Sequence, residues 1–310
     1  MFRAVEDYPR NLAEFEGRFA TEAACREYLV RLRWPEGFRC PRCGHGKGWP
    51  VRERWFECAR CGRQTSVTAG TIFQDTRQPL TQWFRAMWWV TSQKTGTSAL
   101  QLQQGLGLGS YVTAWTWLHK LRRAMVRPGR DRLSGRVEVD ETYWGAAEAG
   151  VRGRQTSNKV LVAIAVEQVG RRGLGRVRMR RVPDASANSL QAFAEEAIER
   201  GTLVHTDGWL GYERLINRGY RHRITFLRGH PGPQGDLLPR VHRVVSLLKR
   251  WLLGTHQGAI TATHLDFYLD EFTFRFNRRR SRYRGKLFYR LAQQAVAIGP
   301  APYQRLIARG

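Results

Sequence analysis

Apolar residues in the first part of the chain recur at the spacing of α-helices. Residues 12–33 carry such a pattern, interrupted near 19–21, where Thr21 followed by Glu22 is typical of a helix start. Further helical patterns lie at 80–94, 98–104 and 110–125. A glycine-rich turn at 105–109 joins the last two, and helix, glycine turn and helix is the pattern of a helix-turn-helix. An ordinary three-helix linker packed by tryptophans stays open as the alternative.

From residue 135 onward the pattern changes to strands that alternate with helices. Strands are predicted at 137–140, 159–167, 176–182, 202–207 and 220–227. Helices are predicted at 186–200, 240–253 and 265–276. Three strands in a meander, followed by helices and further strands, is the RNase H-like order, in which a mixed sheet is flanked by helices. We therefore predict an α/β fold of this type for the second half of the chain.

Two cysteine pairs between these regions have the spacing of a metal site. Fourteen residues separate the pair Cys40 and Cys43 from the pair Cys58 and Cys61, and a glycine follows each pair. Four thiolates in this pattern are typical ligands of one tetrahedral, structural Zn²⁺. Unrelated thiols are the alternative, but an arginine-rich, loop-like stretch offers them little core. Cys25 falls on the apolar side of a predicted helix, which indicates a buried free thiol.

The charge of the chain indicates a polyanionic partner. The sequence has 52 Lys and Arg residues against 26 Asp and Glu residues, a formal net charge of +26. Nucleic acid is favoured over lipid, because 11% aromatic residues indicate folded basic surfaces and no lysine-rich amphipathic helix stands at a terminus. No secretory signal or membrane-spanning pattern is found, so we expect a cytoplasmic protein without a membrane partner.

Two basic regions are the candidate DNA contacts. If 110–125 is a recognition helix, its groove-facing residues and its basic C-terminal end should contact DNA. These residues are Ser110, Tyr111, Thr113, Thr116, Lys120, Arg122 and Arg123. A second stretch near the C-terminus interleaves arginines with aromatic residues, a pattern that favours contact with the DNA backbone over a solvated tail. Its arginines are Arg278, Arg279, Arg280 and Arg282.

Two aspartates stand where strands are predicted to end. Asp140 closes the segment Val-Glu-Val-Asp, and Asp207 closes Leu-Val-His-Thr-Asp. Neighbouring strand ends can bring two carboxylates to one hard divalent cation. Each aspartate also has a simpler explanation, since Asp207-Gly208 is a common turn pair and Asp140 could begin a loop.

Several segments together resemble the DDE transposases of prokaryotic insertion sequences, in particular the ISXO-like group with an N-terminal zinc ribbon. The segments are Ala24-Cys-Arg-Glu-Tyr-Leu, Trp34-Pro-Glu-Gly-Phe-Arg-Cys-Pro-Arg-Cys-Gly, Val137-Glu-Val-Asp-Glu-Thr-Tyr, His205-Thr-Asp-Gly-Trp, Ser246-Leu-Leu-Lys-Arg and Leu269-Asp-Glu-Phe-Thr-Phe-Arg-Phe-Asn-Arg-Arg. The resemblance implies a two-metal mechanism with Mg²⁺ or Mn²⁺ bound by Asp140 and Asp207. It also implies double-stranded DNA partners, namely element ends and target DNA, bound by a homodimer or larger assembly at the nucleoid.

The third catalytic position departs from the family pattern. His242 stands 35 residues after Asp207, where the family name calls for glutamate, and Lys249 follows seven residues later. In a helix, positions 242, 246 and 249 share one face, so we predict an Asp-Asp-His metal site followed by Lys249 as a phosphate contact. The alternatives are that His242 is incidental, that Asp236 is the third ligand, or that Lys249 is one more surface lysine.

The resulting prediction has three parts. They are a helical lead-in with a zinc ribbon (1–66), a helix-turn-helix region (67–130) and an RNase H-like catalytic domain with basic C-terminal helices (131–310). The predicted activity is cleavage of DNA and strand transfer. A nuclease that only cuts, or a domesticated DNA-binding protein that has lost catalysis, are the rival hypotheses.

Overall fold

The chain divides into two compact units. A computed structural model describes residues 6–145, 159–226 and 238–308. The first unit comprises residues 1–127 and 280–309, and the second comprises 128–279. The predicted catalytic part ran to residue 310, so the structure corrects this boundary by placing the C-terminal helices in the first unit. In the part of the chain that is described, no helix has both the length and the apolarity needed to cross a membrane.

The chain enters the first unit through two capped helices, α1 (Leu12–Arg18) and α2 (Glu22–Arg33). The Asn11 side chain accepts a hydrogen bond from the backbone N–H of Glu14 at 2.9 Å, which satisfies one of the free amides at the start of α1. Thr21 caps α2 in the same way, at 3.2 Å from the nitrogen of Ala24. The helix start predicted at Thr21 is therefore confirmed.

A small antiparallel sheet carries the cysteine pairs. It contains β1 (Gly48–Val51), β2 (Trp55–Cys58) and β3 (Gln64–Ser66), hydrogen-bonded in that order. β2 ends at Cys58, the first residue of the second cysteine pair. Phe38 stacks on Phe56 of β2 with ring centroids 5.6 Å apart, and Trp34 meets both rings edge-on, so aromatic packing supports the sheet on one side.

Three helices follow the sheet: α3 (Leu80–Ser92), α4 (Ala99–Leu106) and α5 (Tyr111–Ala124). Ser98 forms a capping box at the start of α4, and Gly107 ends that helix in the left-handed conformation, at a φ of 64°. The predicted helix, glycine turn and helix are thus present. The ring of Trp117 stacks on Trp83 of α3 at a centroid distance of 3.9 Å, which makes Trp117 the main buried tryptophan of α5.

The second unit is built on a mixed sheet. Within its described residues the strands are β4 (Arg136–Trp144), β5 (Val160–Val169), β6 (Gly173–Val182), β7 (Leu203–Asp207) and β8 (Arg221–Thr225). Their order is β6-β5-β4-β7-β8, with antiparallel pairing from β6 to β4 and parallel pairing from β4 to β8. This is the predicted RNase H-like mixed sheet. One detail differs, because β4 continues for four residues past Asp140, which therefore lies inside the strand and not at its end.

Helices cover both faces of this sheet. They are α6 (Ala187–Ala197), a 3₁₀ helix (Leu210–Arg218), α7 (Pro239–His256) and α8 (Leu265–Asn277). Val137 and Val139 of β4 point into a core shared with α6 and the 3₁₀ helix, whereas α7 packs on β4 and β5. The side-chain amide of Asn277 exchanges two hydrogen bonds with the backbone of Val177, at 2.7 and 3.1 Å, and thereby ties the end of α8 to β6.

The last two helices, α9 (Gly285–Ala295) and α10 (Tyr303–Ile307), return to the first unit. Phe288 of α9 is fully buried and lies at ring-centroid distances of 5.4 to 6.2 Å from five aromatic residues of that unit. These residues are Phe15, Phe19, Tyr28, Phe84 and Trp88. Because this aromatic core needs Phe288, α9 belongs with the N-terminal helices despite its distance in sequence.

Candidate catalytic site and DNA-contacting surfaces

Asp140 and Asp207 lie level with each other on neighbouring strands. β4 and β7 are parallel, and their last paired residues are Glu138 and His205, so both aspartates lie two residues further on. Alternate residues of a strand share a face, which places Asp140 with Glu138 and Asp207 with His205. The opposite face carries Val137 and its core neighbours. The two aspartates therefore face the same side of the sheet, the side that α7 covers.

Negative charge is concentrated at Asp140. Burial is the main reason that the pKa of this carboxyl rises to about 6, and the charges of Glu141 and Asp207 raise it further. The backbone N–H of Glu141 donates to Asp140 Oδ1 at 2.8 Å and acts in the opposite direction, as does His242. Because a nearby cation favours the ionised form of a carboxyl group, this site is one where a bound cation would be stabilised.

α7 brings His242 to the first aspartate. His242 Nε2 lies 3.2 Å from Asp140 Oδ2, and its side chain is 45% exposed. The residue proposed from sequence spacing is thus in contact with the residue proposed from the strand pattern. Lys249 lies two turns further along α7 and is half-buried. The alternative ligand Asp236 lies outside the described residues.

Asp207 closes β7 and also forms the turn that follows. Its Oδ1 accepts a hydrogen bond from the backbone N–H of Trp209 at 3.1 Å. The indole N–H of Trp209 in turn donates to the carbonyl of Ala185 at 2.7 Å. Asp207 therefore does stabilise the turn at Asp207-Gly208, as the simpler explanation expected. The turn uses only one of the two carboxylate oxygens of Asp207.

Glu141 does not replace the missing glutamate of the family pattern. It follows Asp140 in β4, so its side chain points to the other face of the sheet. There the hydroxyl of the fully buried Tyr212 donates to Glu141 Oε2 at 2.7 Å. The carboxylate of Glu141 influences the site through its charge and is not positioned as a third ligand beside Asp207.

Sequence reasoning missed Glu138, which anchors the helix that carries His242. Its carboxylate is 3% exposed and accepts hydrogen bonds from the backbone N–H groups of Arg240 and Val241, at 2.8 and 3.0 Å. The guanidinium of Arg240 adds a contact of 2.5 Å. Since the N-cap residue Leu238 supplies no side-chain hydrogen bond, Glu138 takes over the capping of α7. The sequence signal that could have revealed Glu138 is its position two residues before Asp140, because alternate residues of a strand share one face of the sheet.

Replacement of Glu138 by Ala should destabilise the second unit strongly. The change leaves the buried guanidinium of Arg240 without its carboxylate and removes the cap of α7, and loss of one partner of a buried pair typically costs ~3–5 kcal/mol. We expect a fall in thermal stability and in DNA cleavage, because His242 is no longer held beside Asp140. Glu138→Gln, which keeps an acceptor for the backbone amides, should be intermediate.

The matched control is Glu195→Ala, which removes an exposed ion pair with Arg218 of 3.3 Å in the same unit. Exposed pairs contribute about 0–1 kcal/mol, so this variant should unfold almost like the wild type. Equal melting temperatures for Glu138→Ala and Glu195→Ala would refute the anchoring role.

The four predicted zinc ligands come together. Cys40 Sγ lies 3.7 Å from Cys61 Sγ, and Cys43 Sγ lies 3.6 Å from Cys58 Sγ. All four sulfurs are within 4.8 Å of one another, and among the described residues no other group of cysteine, histidine or acidic side chains is as tightly gathered. Asp140, Asp207 and His242 are thus more widely spread than the cysteine cluster.

Backbone geometry prepares these sulfurs for a metal. Gly44 and Gly62 follow the two pairs with φ angles of 71° and 64°, a conformation that lets each turn close with a 3.0 Å hydrogen bond to Cys40 or Cys58. Burial raises the pKa of Cys40, but hydrogen bonds from the backbone of Cys43 and Arg42 and from the side chains of Cys43 and Cys58 together outweigh it and lower the pKa to about 6. N–H groups directed at sulfur favour the thiolate, which is the form that binds zinc.

The predicted recognition helix presents some of its expected residues to solvent. Tyr111 is 51% exposed, Ser110 is exposed, and Thr113 and Thr116 are half-buried. Ser110 also caps α5 through the N–H of Val112 at 3.2 Å.

Toward the C-terminal end of α5, the basic side chains are largely buried. Arg122 is only 1% exposed, so its predicted DNA contact is corrected: it is a core residue. Lys120 is half-buried with its ammonium group 6.0 Å from the Trp83 ring, and burial lowers its pKa. Arg123 donates to the carbonyl of Pro300 at 3.4 Å. The exposed N-terminal turn is therefore the part of α5 best placed for DNA.

Two of the four predicted C-terminal arginines pack against aromatic rings, and the other two are exposed. Arg278 lies 4.0 Å above the Phe274 ring, and Arg279 lies 3.9 Å above Phe276 while donating to backbone carbonyls of β6. Both predicted DNA contacts are thus engaged in packing, Arg278 against Phe274 of its own helix and Arg279 between α8 and β6. Arg280 and Arg282 are exposed.

The fold and the site define an RNase H-like protein in which Asp140 and Asp207 lie on neighbouring strands, His242 contacts Asp140, and four cysteines gather in a ribbon. Residues 132–277 match the ISXO2-like transposase domain, and residues 20–64 match the transposase zinc-ribbon domain. The chain therefore carries an ISXO2-like transposase domain preceded by a transposase zinc ribbon.

The chain is also similar to one curated protein and, more weakly, to one solved structure. The chain is 26% identical over 278 residues to "Uncharacterized protein in transposable element ISH50" from Halobacterium salinarum, a match that covers 83% of this chain and 91% of the relative. A simian T-cell lymphotropic virus intasome in complex with PP2A regulatory subunit B56 gamma matches at 14% identity and a TM-score of 0.30, over 54% of this chain and 63% of that chain. A TM-score this low carries no argument about fold or function.

Proposed function

We propose that this protein is an active DNA transposase, which binds the ends of an insertion sequence and catalyses phosphodiester cleavage and strand transfer. The observation that carries the proposal is the meeting of Asp140, Asp207 and His242 on the α7 side of the sheet in a chain of the transposase family. The 3.2 Å contact between His242 Nε2 and Asp140 Oδ2 supports a shared role for these two residues.

The donor set of this site fits a hard divalent cation. Two carboxylates on neighbouring strands and one imidazole supply oxygen and nitrogen ligands, and burial, together with the charges of Glu141 and Asp207, raises the pKa of Asp140 to about 6. Asp140, Asp207 and His242 would hold Mg²⁺ or Mn²⁺, two ions in the complete site. Such ions supply activation of the attacking oxygen and neutralisation of the charge that develops on the phosphate.

The reaction would proceed in two phosphoryl transfers. Water attacks the phosphodiester at the element end, the P–O3′ bond breaks, and a free 3′-hydroxyl remains on the element. That hydroxyl then attacks a phosphodiester of target DNA, joins the element to one target strand and leaves a 3′-hydroxyl on the other fragment. Lys249 on α7 would hold a phosphate near the scissile bond by charge-assisted hydrogen bonds. Glu138 keeps α7, and with it His242, in place through both steps.

The partners of this reaction are element-end DNA and target DNA. The net charge of +26 supports binding to a polyanion, and the ribbon, α5 and the exposed Arg280 and Arg282 supply candidate surfaces. We propose that the protein works as a homodimer or larger assembly, because two element ends must be joined, and that it acts at the nucleoid of a prokaryotic cell.

A cleavage and strand-transfer assay on labelled element ends tests the proposed function. With Mg²⁺ or Mn²⁺ we expect a shortened strand with a free 3′-hydroxyl, followed by a product joined to target plasmid. Cleavage without joined product would identify a nuclease that only cuts. Binding of the ends without any cleavage in either metal would identify a DNA-binding protein that has lost catalysis.

DNA binding should separate into sequence-independent and sequence-reading parts. Replacing Arg280 and Arg282 by Ala should weaken binding to all sequences and reduce the steepness of the log-log salt dependence by about 2, roughly one per lost phosphate contact. Replacing Tyr111, Thr113 and Thr116 together should leave that steepness unchanged and reduce the preference for element ends over random DNA. Fluorescence anisotropy at several salt concentrations measures both quantities.

The two variants serve as controls for each other. A salt dependence near zero in the wild type would contradict the electrostatic part. An unchanged preference for element ends in the triple α5 variant would remove α5 as the sequence-reading element.

A further inference from the structure

The first unit contains a cavity that the proposed catalytic function does not use. It has a volume of about 660 Å³ and lies among α1, α3, α4 and the start of α9. All its lining residues belong to the first unit. A volume of this size is typical of a pocket for a small organic ligand.

The charge of the lining favours an anion. Arg10, Arg85 and Arg284 line the cavity, and Glu16 is the single acidic residue among the lining side chains, which leaves an excess of two positive charges (3 − 1). Arg85 is exposed, and Arg10 lies 5.5 Å from the centre of the Tyr283 ring. Guanidinium groups on several sides of a cavity are suited to a phosphate group.

Aromatic surface forms another part of the wall. Trp88 and Trp89 of α3 both line the cavity, and Trp89 is half-buried. Its indole packs directly on the backbone of α4 at Gly105, where an added Cβ would lie 2.2 Å from the ring. The absence of a side chain at Gly105 therefore allows the Trp89 ring to lie directly against α4. A tryptophan ring fixed in this way is suited to stacking against a planar group.

A buried hydrogen-bond acceptor completes the set. Gln82 lines the cavity, and its Oε1 is buried and accepts no hydrogen bond from any described residue. Leaving a buried amide oxygen without a donor costs about 1–3 kcal/mol, so rotation of the Gln82 side chain toward a ligand that donates to this oxygen would be stabilising. The exocyclic amino group of a nucleobase is such a donor.

We propose that this cavity binds a single unpaired nucleotide of a DNA strand. The phosphate lies against the arginines, and the base stacks on tryptophan and donates to Gln82. In a duplex the base edge and both base faces are already occupied, so the cavity selects an unpaired nucleotide, as at a strand end or a melted step. The choice of DNA as the polymer rests on the proposed function, whereas the choice of a nucleotide rests on the cavity itself.

Two duplexes of one sequence test the proposal, one blunt and one with a three-nucleotide single-stranded extension that contains the fluorescent base 2-aminopurine. Binding is measured without divalent metal, so that cleavage plays no part. We expect the extended duplex to bind about tenfold more tightly, the factor that corresponds to ~1.4 kcal/mol of stacking, with quenching of the 2-aminopurine emission. Gln82→Ala with Arg85→Ala should abolish both effects and leave binding of the blunt duplex unchanged.

The control variant is Arg305→Ala, an exposed arginine of the same unit that does not line the cavity. It should behave like the wild type, and zinc content and melting temperature confirm that each variant is folded. Equal affinity for both duplexes without quenching, or a double variant that keeps the preference, overturns the proposal. If the protein cleaves DNA but does not prefer the extended duplex, only the nucleotide-binding role of the cavity is refuted. If it prefers the extended duplex but never cleaves DNA, only the catalytic function is refuted.

Discussion

His242→Ala is expected to abolish DNA cleavage and strand transfer while binding to element ends stays intact. The imidazole lies 3.2 Å from Asp140, within the set of groups that would position the ions, and the proposed DNA-binding elements α5 and the ribbon lie in the other unit. Loss of roughly 4 kcal/mol of charge stabilisation corresponds to about a thousandfold lower rate. Asp140→Ala and Asp207→Ala should have the same effect in a cleavage assay with labelled DNA.

The metal preference gives a second measurement on the same residue. A neutral imidazole leaves the site with two carboxylate charges instead of three, and Mn²⁺ accepts nitrogen ligands more readily than Mg²⁺ does. The wild type should therefore work better with Mn²⁺, whereas His242→Glu should retain some activity and shift the preference toward Mg²⁺. This rescue distinguishes a ligand from a residue that only supports the helix.

His264→Ala is the matched control for the histidine variants. It removes a half-buried histidine of the same unit whose hydrogen bonds go to Thr261 and Thr263. Its cleavage rate should equal that of the wild type. Wild-type cleavage by His242→Ala would end the proposed role of this residue, and an inactive Asp236→Ala variant would then transfer the role to Asp236.

Cys58→Ser combined with Cys61→Ser should remove the single Zn²⁺ expected per chain and unfold the ribbon. β1, β2 and β3 have only three to four residues each and are supported by the packing of Trp34, Phe38 and Phe56, so we expect metal binding to supply much of their stability. Apparent binding free energies of structural zinc are on the order of 10–16 kcal/mol. Zinc analysis of purified protein and the rate of proteolysis within residues 40–64 measure the effect.

Cys25→Ser is the control for the thiol chemistry. Cys25 is buried on α2, its thiol lies 3.7 Å from the carbonyl of Phe19, and it is not part of the cysteine cluster. This variant should keep one zinc per chain. The same zinc content in the double variant as in the wild type would show that the cluster is not the zinc site.

Interactions between near neighbours in sequence were predictable. The α4 cap at Ser98, the left-handed Gly107 and the two cysteine knuckles depend on residues within a few positions of one another, so the sequence pattern indicated them directly. The strands of the sheet were also predicted, although β4 extends further than its short apolar pattern suggested. The helical spacing that selected His242 is local as well, and the structure places it beside Asp140.

Other features depended on partners distant in sequence. Glu138 and Arg240 are 102 positions apart, and nothing near either residue reveals that they pair. Arg122 looked like a surface residue among basic neighbours, yet helix rotation turns it into the core. Arg278 and Arg279 carried the charge expected of DNA contacts, but their guanidinium groups pack on Phe274 and Phe276. The net charge of a segment gives the number of basic residues in it but not the direction in which each side chain points.

The sequence by itself determined the family resemblance, the metal-binding cysteines, the RNase H-like order of elements and the residues of the candidate catalytic site. These follow from spacing, because hydrogen bonding within helices and turns and the alternation of strands act over a few residues. Only the tertiary structure decided that residues 280–309 belong to the first unit and that Glu138 caps α7. The tertiary structure also decided that Arg122 is buried whereas Arg280 and Arg282 are exposed to solvent. These outcomes depend on burial against distant partners such as Phe288 with the N-terminal aromatic residues, and the free energy of that burial is set by packing in three dimensions.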